Sequence, residues 1–157
     1  MHRLPAHLLA LAGASLGTPW VAWHEVCIRT KGTPISAHLI DWARDQGIQS
    51  PDLTHVTRTH PIPLPAPVFL RHWLDNRGFP CIHLSGLSLR HGIYLAPNLP
   101  DEDDTLRHEL IHTRQYQQAG SIFAFLRRYL FQCLTEGYLH CQMEREARGE
   151  FPPSSES

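Results

Sequence analysis

The chain has 157 residues, of which 42% are hydrophobic and 18% are charged, and its formal net charge is −1 with histidine neutral. This length and composition fit a folded domain with a buried core and exclude a disordered chain. The balanced charge provides no basic surface of the kind that binds nucleic acid, so no nucleic-acid partner is expected.

The N-terminal segment LPAHLLALAGASLG is apolar and follows only Met1, His2 and Arg3. We expect a helix from Leu4 to about Val26, broken at the Gly-Thr-Pro of residues 17–19. The run is long enough for a signal-peptide core, but His7 interrupts it and little positive charge precedes it. We therefore expect a cytoplasmic protein, with an N-terminal export signal as the alternative.

The middle of the chain alternates helical and extended patterns. TPISAHLIDWARDQG predicts a helix capped by Ser36 and ended by Gly47, and LTHVTRT predicts a strand over residues 53–59. PVFLRHWLDNRG predicts a short helix that ends at Gly78. LSLRHGIYLAP predicts one further strand, in which Gly92 marks a bulge or a close backbone approach.

The C-terminal third is predicted to be helical. One helix runs from about Asp103 to Gln118, and Gly120 separates it from a long helix, or two, that Ser121 can cap. The apolar stretch SIFAFLRRYLFQCL contains Arg127 and Arg128 in mid-run, so core packing is expected rather than membrane association.

These elements predict a single domain over residues 1–150. It comprises a helical lead-in at 1–50, strands with a short helix at 51–100, and metal-site helices at 101–150. Residues 151–157, FPPSSES, are predicted to be a disordered tail.

The segment TLRHELIHTRQY contains His108, Glu109 and His112 in the pattern H-E-x-x-H. On a helix, positions i and i+4 share one face, so the two histidines can direct ring nitrogens at one zinc ion. Glu109 can reach a zinc-bound water without binding the metal, and can take its proton as the water attacks a carbonyl. The pattern predicts a zinc site with Glu109 as catalytic base.

A catalytic zinc normally takes three protein ligands. The metzincin continuation is missing, because Gln115 and Gln118 stand where it needs glycine and histidine. A carboxylate from a second helix remains as the third ligand. The candidates are Glu136, Glu144 and Glu146, with His140 and Cys141 as further possibilities.

HELIHTRQY followed by MEREAR resembles the H-E-L-x-H-x-x-Q-[YF] … E-x-E-A pattern of small bacterial zincin-like proteins. That family looks like minimal gluzincins, related to thermolysin-like and CAAX-type peptidases. The similarity extends upstream through RTKGTPISAHLIDWARDQGIQSPDLTHV and GLSLRHGIYL, so it covers most of the chain from about Trp23.

The resemblance implies an α+β fold: a mainly helical minimal gluzincin with a small antiparallel sheet beside the H-E-x-x-H helix. It places the third metal ligand at Glu144, the first glutamate of E-x-E-A. Four residues after Glu144, many gluzincins have an acidic residue that hydrogen-bonds to the site, whereas this chain has Arg148. This departure puts the hydrogen-bonded support of the metal ligands in doubt.

The resemblance also implies that SLRHGIYL is an edge strand to which a substrate peptide adds. The residues that could stabilise an oxyanion are Tyr138, His140, Tyr94 and His91. The predicted function is a zinc-dependent metallopeptidase acting on an unknown peptide or protein. The alternative is a catalytically inactive, metal-stabilised peptide-binding module.

The four cysteines, Cys27, Cys81, Cys133 and Cys141, are scattered and include no C-x-x-C pair. This spacing argues against a zinc knuckle and against a disulfide framework. We expect all four to be reduced and non-catalytic.

Overall fold

The computed structural model describes residues 3–66, 68–76, 78–79 and 83–150. Cys81 and the predicted tail at 151–157 lie outside these residues. The helices of the described part are α1 (Arg3–Lys31), α2 (Ala37–Asp45), α3 (Val68–Asp75), α4 (Glu102–Ala119), α5 (Ile122–Glu136) and α6 (Gln142–Ala147). The strands are β1 (Thr33–Pro34), β2 (His55–Arg58), β3 (Gly86–Leu89) and β4 (Gly92–Leu95). The mainly helical α+β class is confirmed.

The four strands form one sheet in the order β1-β2-β4-β3. The sheet is mixed rather than antiparallel throughout, because β2 and β4 run parallel whereas the two outer pairs are antiparallel. After β2, the connection over residues 59–85 leads to β3, which is not a neighbour of β2 in the sheet. Strand β4 then lies between β2 and β3. β3 is therefore an edge strand.

The single strand predicted over residues 87–97 is in fact a hairpin. The turn lies at Arg90 and His91, and Arg90 adopts a left-handed φ of 65°. The buried Glu25 of α1 holds this turn, because its carboxylate accepts from Arg90 Nε at 2.9 Å and from the His91 amide at 3.3 Å. The close approach predicted at Gly92 is present, since a Cβ there would lie 3.1 Å from Glu25 Cα.

Helix α1 runs unbroken through Pro19, so the predicted break at residues 17–19 is wrong. Packing against α5 stabilises the helix on the N-terminal side of the proline. A Cβ at Gly13 would lie 2.7 Å from Leu130 Cδ1, and one at Gly17 would lie 3.0 Å from Leu126 Cδ1. The two glycines allow a close helix contact, and this tertiary packing outweighs the local effect of proline.

Local capping sets the ends of the C-terminal helices, and the break at Gly120 and the cap at Ser121 are as predicted. Asp101 accepts from the Asp104 amide at 2.9 Å and begins α4, and Ser121 accepts from the Ala124 amide at 3.1 Å and begins α5. Gly120 separates the two helices with a φ of 81°. Gly137, with a φ of 85°, ends α5 and allows the chain to turn toward α6.

Two apolar clusters lie on the two sides of the sheet. One joins α1, β3 and α5 around Val21, Leu89 and Phe125, and the other joins α2, β4 and α4 around Leu39, Ile93 and Leu110. Helix α4 contributes to both, and it is buried continuously from Glu109 to Tyr116. No helix within the described residues combines the length and apolar character needed to cross a bilayer.

Candidate metal centre

His108 and His112 lie one turn apart on α4, as predicted from their spacing. Their Nε2 atoms are 3.2 Å apart, and their rings meet edge to face with centroids 5.0 Å apart. His112 is buried, whereas His108 is partly exposed. The two imidazoles therefore direct one nitrogen each at a common point at the rim of a cavity.

Glu144 completes the group from the short helix α6. Its side chain is almost fully buried; one carboxylate oxygen lies 3.2 Å from His112 Nε2 and the other 3.3 Å from His108 Nε2. Glu136, the nearest rival by helical spacing, is exposed at the end of α5. His140 is exposed as well, and Cys141 is buried but outside the cluster. The structure thus brings His108, His112 and Glu144 together.

The spacing of these atoms fits a tetrahedral metal. Zinc–nitrogen and zinc–oxygen bonds are about 2.0–2.1 Å long, so two ligand atoms of a regular tetrahedron lie roughly 3.3–3.4 Å apart. The two Nε2 atoms are 3.2 Å apart, which is close to this value, and each of them lies 3.2–3.3 Å from a different oxygen of the Glu144 carboxylate. Two imidazole nitrogens and one carboxylate are also a donor set that catalytic zinc takes.

The two oxygens of Glu144 differ in their surroundings. Oε1 accepts a hydrogen bond from the Tyr129 hydroxyl at 2.6 Å. Oε2 is buried and, among the described residues, has no hydrogen-bonding partner of suitable geometry, although His108 lies near. A buried carboxylate oxygen without a donor is costly unless a cation satisfies it. A metal ion held by His108 and His112 could satisfy this oxygen.

Gln115 fixes the orientation of His112. Its amide nitrogen donates to Met143 O at 3.0 Å and to Glu146 Oε2 at 2.8 Å, so its amide oxygen must face the ring. That oxygen accepts from His112 Nδ1 at 2.8 Å. In neutral His112 the proton is therefore on Nδ1, and the Nε2 lone pair points into the cluster.

Glu146 supports the candidate metal ligands through hydrogen bonds. An acidic residue in this role was expected to be missing, because Arg148 stands four residues after Glu144. Besides binding Gln115, Glu146 accepts from Arg114 Nη2 at 2.7 Å. The second glutamate of E-x-E-A thus holds the glutamine that holds His112. Sequence reasoning missed both roles, although Gln115 stands within the quoted motif. Arg148 itself turns away and binds Leu139 O and Glu150.

In the metal-free cluster, opposite charges shift both titrating partners. Burial lowers the pKa of His112, but hydrogen bonding to Glu144 and its charge outweigh burial and raise the pKa to about 9. Burial raises the pKa of Glu144, but its contacts with His108, His112 and Tyr129 outweigh burial and hold the pKa well below the usual range. The pocket thus strongly stabilises a positive charge beside Glu144.

Glu109 lies beside the cluster and outside it. Its side chain is buried, and burial is the main reason that its pKa is raised; the amide of Ser88 opposes this by hydrogen bonding to the charged form. Gly86 of β3 leaves space for this side chain, since a Cβ there would lie 2.6 Å from Glu109 Oε1. The carboxylate of Glu109, the predicted base, therefore lies between α4 and the edge strand β3.

A cavity of about 230 Å³ opens onto these four residues. Its lining is mostly apolar and comes from α1, β3 and α5, with Gly13, Trp20, Leu87, Leu126 and Leu130 among its residues. Tyr138, in the turn before α6, also lines it, and burial is the main reason that its pKa is raised.

The other residues considered for oxyanion stabilisation lie elsewhere. Tyr94 Oη is 2.6 Å from His24 Nδ1 on the α1 side of the sheet. His91 is in the hairpin turn, with Nδ1 3.1 Å from Thr54 Oγ1. His140 is exposed. Of the four candidates, Tyr138 alone lines the cavity.

The edge of β3 is partly occupied by α4. The Ser88 amide binds Glu109, Tyr116 Oη lies 3.5 Å from Ser88 O, and Thr113 Oγ1 donates to Arg90 O at 2.6 Å. A peptide that adds to this edge would compete with these contacts from Ser88 onward. A peptide that pairs with β3 would therefore do so at the start of the strand, at Gly86.

Cys27, Cys133 and Cys141 are free thiols in the structure. Cys133 and Cys141 are buried with their sulfurs 3.6 Å apart, and hydrogen bonding to Cys141 together with burial raises the pKa of Cys133. Neither belongs to the candidate metal cluster. The hydrogen bond with Cys133 lowers the pKa of Cys141 to about 7, and the non-catalytic role of the cysteines stays a prediction.

Comparison of the chain with protein-family models, curated proteins and solved structures gives no match. The similarity to zincin-like proteins therefore rests on the sequence motifs and stays a prediction.

Proposed function

We propose that this protein is a zinc-dependent metallopeptidase. The observation that carries the proposal is the convergence of the ligand atoms of His108, His112 and Glu144, with the buried Glu109 beside them on one cavity. Structural zinc sites are closed by four protein ligands, whereas catalytic sites use three and keep one position open. Three ligands at the rim of a cavity favour the catalytic type.

A zinc ion bound by these residues would supply Lewis acidity, which activates water and polarises a substrate carbonyl. Glu109 would take a proton from the attacking water and later deliver it to the nitrogen of the departing amine. Burial raises the pKa of Glu109, which brings its proton affinity closer to that needed for both transfers near neutral pH. Gly86 leaves space for the carboxylate of Glu109, and the Ser88 amide donates a hydrogen bond to it.

The surrounding residues position the ligands. Gln115 keeps His112 in the tautomer whose Nε2 can bind metal, and Tyr129 orients Glu144 through Oε1. Tyr138 lines the same cavity, and burial raises the pKa of its hydroxyl, which would remain a donor for an oxygen that gains negative charge.

The test is the zinc content and peptidase activity of the wild type and of Glu109→Gln. Glutamine keeps the shape of the side chain and lies outside the cluster, so zinc should remain at one ion per chain. Turnover should fall by about 10²- to 10⁴-fold, the usual contribution of general acid–base catalysis. Glu136→Gln, an exposed glutamate on α5, is the matched control and should leave both measurements unchanged.

Two outcomes would overturn the proposal. Zinc content that is unchanged by His112→Ala would exclude this cluster as the metal site. A protein that binds zinc through the cluster, yet shows no hydrolysis of peptide libraries and no effect of Glu109→Gln in any assay, would be the metal-stabilised peptide-binding module instead.

A further inference from the structure

The cavity at the candidate metal centre extends from the metal cluster into an apolar space between α1, β3 and α5. The acidic and basic side chains in its lining are those of His108, Glu109, His112 and Glu144, and no lysine, arginine or aspartate of the described residues joins them. The rest of the wall consists mainly of leucine, glycine and aromatic residues. The reactive groups are therefore gathered on one side, and the remainder of the cavity offers apolar surface.

Most of the other polar groups in the lining already have partners. The Tyr129 hydroxyl donates to Glu144 Oε1 at 2.6 Å. Ser88 Oγ lies 3.3 Å from Thr113 Oγ1, and Tyr116 Oη lies 3.5 Å from Ser88 O. A polar or charged side chain that entered this space would lose its water and find few new partners, which costs free energy. The wall therefore favours an apolar occupant.

The wall between α1 and α5 depends on two glycines and two leucines. The close contacts of Gly13 with Leu130 and of Gly17 with Leu126 leave no room for a side chain on either glycine. All four residues line the cavity, and both leucines are half-buried rather than fully packed. The two leucine side chains therefore present apolar surface to whatever enters the cavity.

The α1 part of this wall is not implied by the resemblance to zincin-like proteins. That similarity begins at about Trp23, whereas Gly13, Gly17 and Trp20 precede it in the chain. Trp20 adds an aromatic surface to the cavity and lies against His24, with ring centroids 4.1 Å apart. The apolar space is therefore formed by this chain's own N-terminal helix and by the packing of that helix on α5.

The position of the cavity indicates what occupies it. Gly86 and Leu87 at the start of β3 line it, and Gly86 is also the point at which a peptide could pair with this strand. Glu109 lies against Gly86, and His108 and Glu144 belong to the same lining. A peptide bond held beside Glu109 at this cluster would therefore have its neighbouring side chain within reach of the apolar space.

We propose that this cavity binds an apolar side chain, as large as that of leucine or phenylalanine, on the substrate residue next to the scissile bond. The volume is sufficient, because an apolar cavity of about 150 Å³ holds benzene and this one has about 230 Å³. The inference rests on the proposed peptidase function and adds the substrate class, which is peptides with a bulky apolar residue at the cleavage site. Leu87, Leu126 and Leu130 are the residues that determine this specificity.

The experiment compares kcat/KM for peptides of one sequence in which a residue beside the scissile bond is leucine, phenylalanine, alanine, aspartate or lysine, on either side of the bond. On one side, leucine or phenylalanine should be preferred over alanine at least about tenfold, since even one methylene group changes the fit to an apolar pocket by about this factor. Aspartate and lysine should be poorer than alanine. Leu126→Gln should reduce the preference for leucine about tenfold at unchanged zinc content, because an amide replaces methyl groups in the wall. Leu134→Gln is the matched control and should keep the wild-type preference, because Leu134 is 38% exposed on the same helix and lies outside the lining.

A binding measurement distinguishes this inference from the proposed function. In calorimetry with the zinc-loaded wild type, 3-phenylpropanohydroxamic acid should bind at least about tenfold more tightly than acetohydroxamic acid, because only the first carries a group for the cavity. Leu126→Gln should reduce this difference, and Leu134→Gln should keep it. Equal affinities of the two hydroxamates would overturn the inference. Cleavage of leucine and aspartate peptides at equal rates would also overturn it, while leaving the peptidase function intact. Selective hydroxamate binding without any peptide hydrolysis would confirm the apolar subsite and refute the peptidase function.

Discussion

Replacing Gln115 by alanine should weaken zinc binding without changing any atom that contacts the metal. In the wild type, the Gln115 oxygen accepts from His112 Nδ1 at 2.8 Å, and its nitrogen is held by Met143 O and Glu146. Alanine removes the acceptor, so His112 can rotate and can carry its proton on Nε2, the nitrogen needed for the metal. Loss of such an outer partner typically lowers metal affinity by about 10- to 100-fold, or roughly 1.4–2.7 kcal/mol.

The affinity should be measured by competition with a chromophoric zinc chelator, at a temperature well below unfolding. This condition matters because the variant also leaves Met143 O without its donor, which costs about 1–3 kcal/mol of folding stability. Gln118→Ala is the matched control, since Gln118 is an exposed glutamine on the same helix. Wild-type affinity in Gln115→Ala, or an equal loss in Gln118→Ala, would refute the assigned role of the hydrogen-bond chain.

Two further predictions concern the base and the metal-free cluster. Gly86→Ala should retain zinc but lower turnover about 10²-fold, because the added Cβ would displace the carboxylate of Glu109. A misplacement of about 1 Å in a catalytic group has an effect of this size. Full activity with unchanged zinc content would show that the carboxylate needs no such space. The pKa of His112 is raised from 6.5 to about 9 in the absence of metal, so its contribution to stability is complete below pH 6.5 and is lost as the pH rises through 9. Denaturant unfolding of the metal-free protein should therefore show stability falling between pH 6.5 and pH 9, and His112→Asn should remove that slope.

The candidate site was predictable as far as its chemistry depends on local spacing. His108 and His112 share a face because four residues make slightly more than one helical turn, and Glu109 must then lie beside them. Sequence spacing alone could not separate Glu136 from Glu144, because eight residues bring both near one helical face. Gly137 ends α5 between the two, so no single helical pattern joins them, and the turn to α6 leaves Glu136 in solvent and buries Glu144.

The sequence by itself determined the break between α4 and α5 and the mainly helical α+β class. Asp101, Gly120 and Ser121 act through contacts within four residues, so their effect can be read from their immediate neighbours. The tertiary structure decided the continuity of α1 through Pro19, because its packing on α5 involves residues more than a hundred positions away. It likewise decided the mixed sheet and the link from Glu146 through Gln115 to His112, since pairing of distant segments depends on the path of the intervening chain.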